Sequence, residues 1–271
     1  MTKTDLLICP ICRQPLFLQS GSLVCEKRHT YDVSKHGYVN LVNTSSKKES
    51  GDTKEMVRAR TKFLDGGSYA PLREELVSLT RGSCVCVDAG CGEGYYSCAV
   101  GIECSYLLGF DLSRSAVEKA AKRARSGGVE EKCFFGVGSV YSMPVPDSSA
   151  DCILSVFAPC AEEEFLRILK PGGKLVVACA GPRHLEQMKE VLYDTATENT
   201  TRADLPQRMT LCESKRLSYD ITLEESEMIR ALYYMTPYCY RTGIEAQKAL
   251  LSLDRLVTRA EFDILVYKKG L

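Results

Sequence analysis

The chain has 271 residues with 35 basic and 35 acidic side chains, so its formal net charge is zero. This balance excludes a uniformly basic surface that would attract polyanions, and a hydrophobic content of 45% is typical of a globular protein. The apolar run before Cys9 is too short for a signal sequence, and no run approaches the length of a membrane span. We therefore expect a cytoplasmic protein without a membrane partner.

Charge is distributed unevenly along the chain. Residues 1–62 contain 11 basic and 6 acidic side chains, which leaves 24 basic and 29 acidic side chains for the remainder. A basic front on an acidic body favours a local site for an anion such as RNA. An imbalance of this size also arises by chance, so charge alone does not decide between the two interpretations.

The first predicted element is a small β-rich segment, residues 6–42. Its short apolar runs at residues 16–18, 22–24 and 38–41 are broken by glycines and polar turns, and none is long enough to bury a core. A segment of this kind needs a staple, such as a bound metal ion, in order to fold.

Four side chains of this segment have the spacing of a zinc site. Two residues separate Cys9 from Cys12, and three separate Cys25 from His29. Thiolates and imidazoles suit Zn²⁺, and a structural site uses four of them. We therefore predict a closed, structural zinc site, for which His36 is the nearest substitute ligand. The alternatives are a redox pair or a chance spacing, although no thioredoxin-like unit precedes Cys9.

Residues 43–52 are polar and predict a linker, which two helices follow. Asp52 or Thr53 can cap a helix that runs to Leu64. A second helix is expected from Ala70 to Leu79, with a proline in its first turn.

Strands and helices alternate from Cys84 onward. The expected strands are residues 84–88, 106–111, 132–137, 151–157 and 174–180, and the expected helices are residues 94–100, 113–126, 162–169 and 184–193. This alternation predicts an α/β fold with a doubly wound parallel sheet. We place a zinc-binding, RNA-recognition module at 1–45, a linker with helices at 46–82 and the sheet domain at 83–271. Because the sheet has its own core, loss of the metal is expected to unfold the front module alone.

A glycine-rich turn follows the first strand of the sheet domain. Gly90 and Gly92 let the backbone approach a ligand, while Asp88 closes the first strand and Asp111 closes the second. A carboxylate at the latter position accepts hydrogen bonds from ribose hydroxyls. No Gly-Lys-Ser/Thr follows the turn, which excludes a phosphate-binding P-loop.

This pattern resembles motifs I and II of the class I S-adenosylmethionine (SAM) methyltransferases. Residues 135–140 after the third strand, Met143-Pro144, and residues 169–175 before the fifth strand agree with it. The resemblance implies a Rossmann-like sheet that binds SAM, behind a small N-terminal β-rich zinc-binding domain.

Longer stretches resemble the RlmA/TlrB family, the guanine-N1 methyltransferases of 23S ribosomal RNA. They are residues 9–41, 51–60, 63–69, 90–96, 157–160, 181–185 and 235–238, which together extend over nearly the whole chain. The resemblance implies a homodimer that holds a 23S rRNA hairpin, not DNA, between two zinc modules. One branch of the family confers resistance to the macrolide tylosin, and the motifs do not assign the chain to a branch.

The resemblance also implies which residues bind the cofactors. The zinc ligands would be Cys9, Cys12, Cys25 and His29. Tyr69, Tyr96, Ser97 and His184 would lie where the family contacts SAM. The glycine-rich turn and the strand ends add Asp88, Gly90, Gly92 and Asp111 to the expected SAM-binding residues.

The sequence does not identify the group that takes the proton from guanine N1. The candidates for a catalytic role are His184 and Phe157, and the latter either stacks on an extruded base or packs in the core. Candidate phosphate contacts are Arg13, Lys27, Arg28, Lys35, Lys47, Lys48, Arg58 and Arg60. Two other functions stay open: a methyltransferase for a small molecule or protein, whose zinc module docks a partner, and an RNA-binding scaffold without enzymatic activity.

Overall fold

The computed structural model of the chain describes residues 2–42, 51–193, 199 and 205–270. In chain order the strands are β1 (Phe17–Gln19), β2 (Ser22–Val24), β3 (Thr30–Asp32), β4 (Val39–Asn40), β5 (Val85–Ala89), β6 (Tyr106–Asp111), β7 (Cys133–Val137), β8 (Ala150–Val156), β9 (Leu169–Ala180), β10 (Thr210–Leu223) and β11 (Leu256–Lys268). The α-helices are α1 (Lys54–Asp65), α2 (Ala70–Thr80), α3 (Tyr95–Glu103), α4 (Arg114–Ser126), α5 (Glu162–Ile168), α6 (Glu186–Leu192), α7 (Ser226–Met235) and α8 (Ile244–Leu251). Within these residues, no helix is both long and apolar enough to cross a membrane.

The larger sheet has eight strands in the order β10-β11-β9-β8-β5-β6-β7-β4. The strands from β9 to β4 are parallel, whereas β11 is antiparallel to both of its neighbours. β5 and β7 are buried at every position, as expected for parallel strands that are covered on both faces. This architecture confirms the predicted doubly wound α/β fold, and the carboxyl ends of its parallel strands meet at one edge.

The front module begins with a separate antiparallel sheet of β1, β2 and β3 and ends by joining the large sheet. Val39 and Asn40 of β4 pair in parallel with Gly136 and Val137 of β7. The backbone N–H of Leu41 donates to the Val137 carbonyl at 2.9 Å. The front module is therefore connected to the large sheet by main-chain hydrogen bonds.

Side chains of the front module also fill part of the core of the large sheet. Leu6, Leu7 and Leu16 belong to the same buried cluster as Phe110 and Phe134. α5 contributes to this cluster as well, whereas helices α1 to α4 and α6 to α8 contribute to a cluster on the opposite face. The front module thus covers a face of the sheet that a crossover helix would otherwise cover.

The connection from β7 to β8, residues 138–149, contains no helix, and the front module packs against it. The Ile8 N–H donates to the Pro144 carbonyl at 3.0 Å, and Arg13 forms an ion pair with Asp147 at 2.9 Å. The domain boundaries near residues 45 and 82 stay a prediction. The front module and the large sheet, however, share one hydrophobic cluster.

Most predicted elements agree with the structure to within a few residues. The expected helices at 70–79 and 113–126 are α2 and α4, and the expected strand at 106–111 is β6. The expected strand at 174–180 begins earlier, at Leu169, where β9 first pairs with β8. Neither β3 nor any element from β10 onward was predicted from the sequence.

Candidate zinc and cofactor sites

The predicted zinc ligands lie on two tight turns of the front module. In the first turn, the Arg13 N–H donates to the Cys9 carbonyl at 2.8 Å, and in the second the Arg28 N–H donates to the Cys25 carbonyl at 2.8 Å. The φ angles of Arg13 and Arg28 are 60° and 63°, so each turn contains one residue in the left-handed region. The two turns bring their thiols to one point between them.

The distances within this cluster match a tetrahedral zinc site. The ligand atoms of Cys9, Cys12, Cys25 and His29 all lie within 4.8 Å of one another. Cys12 Sγ lies 3.6 Å from Cys25 Sγ, and His29 Nδ1 lies 3.4 Å from Cys9 Sγ and 3.3 Å from Cys25 Sγ. A tetrahedron with Zn–S bonds of about 2.3 Å and a Zn–N bond of about 2.0 Å has edges of roughly 3.5–3.8 Å. The four side chains therefore fit one Zn²⁺ ion, with His29 binding through Nδ1.

Tyr31 supports the form of Cys9 that binds metal. Its hydroxyl lies 3.2 Å from Cys9 Sγ. Burial raises the pKa of Cys9, but hydrogen bonds from Tyr31 and from backbone N–H groups outweigh burial and lower the pKa to about 6. The thiolate is the metal ligand, so these hydrogen bonds favour zinc binding. His36, the substitute ligand, instead lies 3.6 Å from the Glu118 carboxylate.

The glycine-rich turn after β5 has the backbone that a close ligand approach requires. Gly90, Gly92 and Gly94 have φ angles of 87°, 53° and 81°, in the left-handed region. A Cβ on Gly90 would lie 2.5 Å from the Cβ of Ala158, which follows β8. A side chain at Gly90 is thus excluded by both conformation and space.

Two carboxylates flank this turn, as predicted. Asp111 Oδ2 accepts the Gly92 N–H at 3.1 Å and its Oδ1 accepts the Ser113 N–H at 2.8 Å. Asp88 Oδ2 accepts the Ser97 hydroxyl at 2.5 Å. Burial raises the pKa of Asp88 to about 7, although the Ser97 hydrogen bond opposes this shift. Burial also raises the pKa of Asp111, against the two backbone N–H groups.

Unsatisfied polar atoms surround the same turn. Asp88 Oδ1, Tyr95 Oη and Tyr96 Oη are buried and have no hydrogen-bond partner within the described parts of the chain. Buried polar atoms are nearly always hydrogen-bonded, so these atoms fit a polar ligand seated against the turn. SAM has the ammonium, carboxylate and ribose groups that such atoms can bind. The residues present therefore fit the predicted cofactor.

Tyr69 and His184 form a buried pair behind the carboxyl edge of the sheet. Tyr69 Oη lies 3.2 Å from His184 Nε2, and the Glu261 N–H donates to His184 Nδ1 at 3.2 Å. The Tyr69 ring also packs edge-on against Phe63 and Phe262, with ring centroids 5.0 and 4.9 Å apart. Burial lowers the pKa of His184 to about 4, so the imidazole is neutral at neutral pH.

Phe157 is an exposed aromatic residue at this edge. It follows the last residue of β8, its side chain is 47% exposed, and its φ angle is 53°. Its ring centroid lies 6.1 Å from that of His184 and 6.0 Å from that of Phe262. A bulky residue in the left-handed region is unusual, and such strain is concentrated at functional sites. The predicted alternative of a core aromatic is excluded, because the ring is only partly covered.

Sequence reasoning missed the cover of the glycine-rich turn by α1. Arg60 forms an ion pair with Asp52 and is therefore not a free phosphate contact. The Arg60 guanidinium lies over the turn, 3.8 Å from the position that a Cβ on Gly92 would take. The Ser113 hydroxyl donates to the Asp52 carbonyl at 2.8 Å and so holds the start of α1 beside the start of α4. The sequence carried no local signal for this contact, because its partners come from three separate segments.

Comparisons with known proteins match both parts of the chain. Residues 7–50 match the family described as RlmA, N-terminal, a zinc ribbon, and residues 81–235 match a methyltransferase domain. The solved structure of the [4+2]-cyclase SpnF resembles the fold, with a TM-score of 0.51, 18% identity and coverage of 74% of this chain and 80% of that one.

Two relatives are similar over most of the chain. The 23S rRNA (guanine(748)-N(1))-methyltransferase of Streptomyces fradiae is 37% identical over 69% of this chain and 67% of its own length. A Micromonospora griseorubida protein named "Putative 23S rRNA (guanine-N(1)-)-methyltransferase" is 30% identical over 94% of both chains. The chain, with its N-terminal zinc ribbon and its class I SAM methyltransferase domain, therefore belongs to the family of 23S rRNA (guanine-N1-)-methyltransferases.

Proposed function

We propose that this protein transfers a methyl group from SAM to N1 of a guanine in a hairpin of 23S ribosomal RNA. One observation carries the proposal: a relative named for this activity is similar across the zinc ribbon and the methyltransferase domain together, over 94% of both chains. A relative sharing only the methyltransferase domain would support the cofactor and the fold but not the RNA. The paired similarity supports both halves of the reaction.

SAM supplies an activated methyl group, and its transfer is an in-line displacement in which positioning lowers most of the barrier. The glycine-rich turn, Asp88 and Asp111 are the groups that we assign to holding the donor at the carboxyl edge of the sheet. Asp88 Oδ1 and the Tyr96 hydroxyl, which are buried and without a described partner, support this assignment. The methyl acceptor then has to be placed on the open side of the turn.

We assign the placement of guanine to Phe157. A base drawn out of an RNA strand is held by stacking on an aromatic face, worth about 1–3 kcal/mol per base. The Phe157 ring is exposed, and the His184 and Phe262 rings support it from behind. Its strained backbone conformation supports a functional role, since an unstrained side chain would serve equally well for packing.

His184 is better suited to supporting Tyr69 than to taking the proton from guanine N1. Its Nδ1 already accepts a backbone N–H, so the ring hydrogen lies on Nε2, facing Tyr69. A general base needs a free lone pair within hydrogen-bond reach of the substrate. Both nitrogens of His184 are engaged, and its pKa is about 4. We therefore assign His184 to positioning the Tyr69 ring, which packs on Phe262 behind Phe157.

We further propose that the protein acts in the cytoplasm as a homodimer, so that two zinc ribbons face one RNA hairpin. The family similarity of the whole chain supports this arrangement, and light scattering of the purified protein tests the mass of the assembly. An effect on tylosin sensitivity is tested by growth of cells with and without the protein.

The proposed activity is tested with labelled SAM and a panel of 23S rRNA hairpin transcripts. Label should appear in guanine of one hairpin, and reverse transcription should stop at that position, because an N1 methyl group removes a Watson–Crick donor. DNA hairpins of the same sequence serve as the control and should stay unlabelled. Label in a small metabolite or a protein, with none in RNA, would reject the proposal in favour of another methyl acceptor.

A further inference from the structure

α1 and α4 run side by side and enclose a surface groove. Their beginnings meet where the Ser113 hydroxyl, at the start of α4, donates to the Asp52 carbonyl at 2.8 Å. Their later turns meet at the ion pair of Arg123 with Asp65, at 2.7 Å. The two helices are therefore parallel, and a groove of about 480 Å³ lies along them.

Four of the eight residues that line the groove are cations, and one is acidic. Its residues are Lys54, Val57, Arg58, Thr61, Lys62, Ser115, Glu118 and Lys119. Lys62 forms an ion pair with Glu227, and Glu118 forms one with Lys122 at 2.5 Å. Within the described parts of the chain, Lys54, Arg58 and Lys119 have neither an ion pair nor a side-chain hydrogen bond. Three cations thus remain available to a ligand in the groove.

Two further features of the groove favour an anion with several oxygen atoms. The Thr61 hydroxyl is buried there and has no hydrogen-bond partner among the described residues. The first turns of two parallel helices adjoin the same end, and helix N-termini favour negative charge. Thr53 and Ser113 cap these helices through their hydroxyls. The remaining first-turn N–H groups of each helix have no partner within the helix itself.

The position of the groove connects the two functional sites. It begins beside Ser113, whose N–H binds the Asp111 carboxylate of the cofactor site at 2.8 Å. On its other side, α4 meets the zinc ribbon, where His36 Nε2 lies 3.6 Å from Glu118. Arg125 reaches the same ribbon turn, with its guanidinium 4.0 Å from the position of a Cβ on Gly37. A strand that contacts the zinc ribbon can therefore cross α4 and reach the groove.

We propose that the groove between α1 and α4 binds the phosphate backbone of the RNA substrate. This inference rests on the proposed function, because it takes the RNA that is methylated as its ligand. Unpaired lysine and arginine side chains, a free hydroxyl and two helix N-termini are the groups that contact phosphates in protein–RNA complexes. They specify charge and position and carry no base specificity, so the groove fixes where the strand runs and Phe157 holds the extruded base by stacking.

The test compares two triple variants in RNA binding without SAM. The groove variant replaces Lys54, Arg58 and Lys119 with glutamine, and the matched control replaces the exposed cations Lys248, Arg255 and Lys268 with glutamine. Affinity falls as salt rises, and each lost phosphate contact should make the slope of log affinity against log salt shallower by about 0.7. The slope of the groove variant should therefore be shallower than that of the wild type by about 2. At 0.1 M salt this corresponds to a loss of affinity on the order of 100-fold. The control should keep the wild-type slope.

Separate measurements exclude a general loss of structure. The zinc content and SAM affinity of the groove variant should equal those of the wild type. In turnover assays, KM for RNA should rise while kcat stays within about twofold, because the lost contacts bind the ground state and the transition state equally. A variant in the opposite direction, Glu118→Gln, removes the acidic lining residue and should tighten RNA binding and steepen the slope.

Three outcomes would overturn the inference: an unchanged salt slope in the groove variant, an equal loss in the control variant, or no RNA binding by the wild type. A groove that instead held an acidic protein segment would leave the RNA slope unchanged. Failure of the proposed function is distinguishable, because it appears as the absence of labelled guanine with the wild-type protein, whatever the groove variants do to binding.

Discussion

The Tyr69 hydroxyl lies 3.2 Å from Nε2 of His184, and both side chains are buried. The second ring nitrogen accepts the Glu261 N–H, so the imidazole has a fixed tautomer with its hydrogen on Nε2. A neutral histidine held in this way ties the segment after β9 to the start of α2. It also gives the folded state a defined dependence on pH.

Stability should fall as the pH is lowered from about 7 to 5, and His184 should cause part of this loss. Burial lowers the pKa of His184 to about 4 in the folded state, from 6.5 for an unperturbed histidine, so the unfolded chain binds more protons in this interval. Stability is therefore fully present above pH 6.5 and is lost as the pH falls. At pH 5 the loss from this group is roughly 2 kcal/mol.

Urea unfolding of the wild type and of His184→Asn, each at pH 7 and pH 5, measures the contribution of His184 to the pH dependence of stability. The variant should lose less free energy of unfolding between the two pH values than the wild type, although it starts from a lower stability. The zinc site is the same in both proteins, so the difference between them isolates His184. Equal pH dependence in the two proteins would mean that the pKa of His184 is the same in the folded and the unfolded state.

Phe157→Gly should separate stability from activity. Glycine adopts a φ of 53° without strain, so the free energy of unfolding should stay level or rise by about 1 kcal/mol. The loss of an aromatic face should lower kcat/KM for RNA roughly 5- to 150-fold, from about 1–3 kcal/mol of stacking. SAM affinity, measured by calorimetry, should be unchanged.

The matched control for this prediction is Phe157→Tyr, which keeps the aromatic face and should retain most of the activity. If glycine and tyrosine lowered kcat/KM equally, stacking would not be the role of this position. A large loss of stability in the glycine variant would show that the contacts of the ring with His184 and Phe262 contribute to folding.

The site residues that spacing alone predicted are those with a local pattern. The spacing of Cys9, Cys12, Cys25 and His29 predicted a cluster whose members indeed converge. The glycine-rich turn after β5 was predictable for the same reason, because a strand, three glycines and a helix follow one another without interruption. In each case the geometry is set by residues close together in the chain.

The parts that were not predicted depend on contacts between distant segments. Val39 pairs with Gly136 in a strand of two residues, which has no pattern of its own. The cover of Gly92 by Arg60 likewise depends on where α1 docks. β10 was missed because an exposed edge strand is rich in polar residues and lacks the apolar run of a buried strand.

Gly90→Ala should abolish SAM binding and leave the zinc site intact. The new Cβ would lie 2.5 Å from that of Ala158, and an alanine Cβ has no rotamer by which to move away. The turn must therefore shift, and we expect SAM affinity to fall at least about 100-fold, or roughly 3 kcal/mol. Gly82→Ala is the matched control, because its φ is 79° and nothing lies within 4 Å of the added Cβ.

The control should cost about 1–2 kcal/mol of stability through its left-handed backbone and leave SAM affinity unchanged. Calorimetric titration with SAM and metal analysis of both variants provide the comparison. Equal SAM affinity in the two variants would indicate that the turn after β5 is not where the cofactor binds.

Cys25→Ser should release the zinc ion and lower the melting temperature of the whole protein. The zinc ribbon contributes Leu7 and Leu16 to the cluster that contains Phe134, and β4 lies on the edge of the catalytic sheet. Loss of the ribbon would expose this face of the sheet, since the connection between β7 and β8 provides no helix to cover it. The sequence alone favoured independent unfolding of the front module, whereas the shared cluster favours a coupled loss.

Differential scanning calorimetry with metal analysis distinguishes independent unfolding of the front module from a coupled loss of the whole structure. Wild-type protein should contain one zinc ion per chain and unfold in one transition, and Cys25→Ser should lack zinc and unfold in one transition at a lower temperature. Cys212→Ser, at an exposed thiol outside the cluster, should match the wild type. A variant whose main transition and SAM affinity are both unmoved would show that the sheet is stable without the ribbon, and that the ribbon serves RNA binding alone.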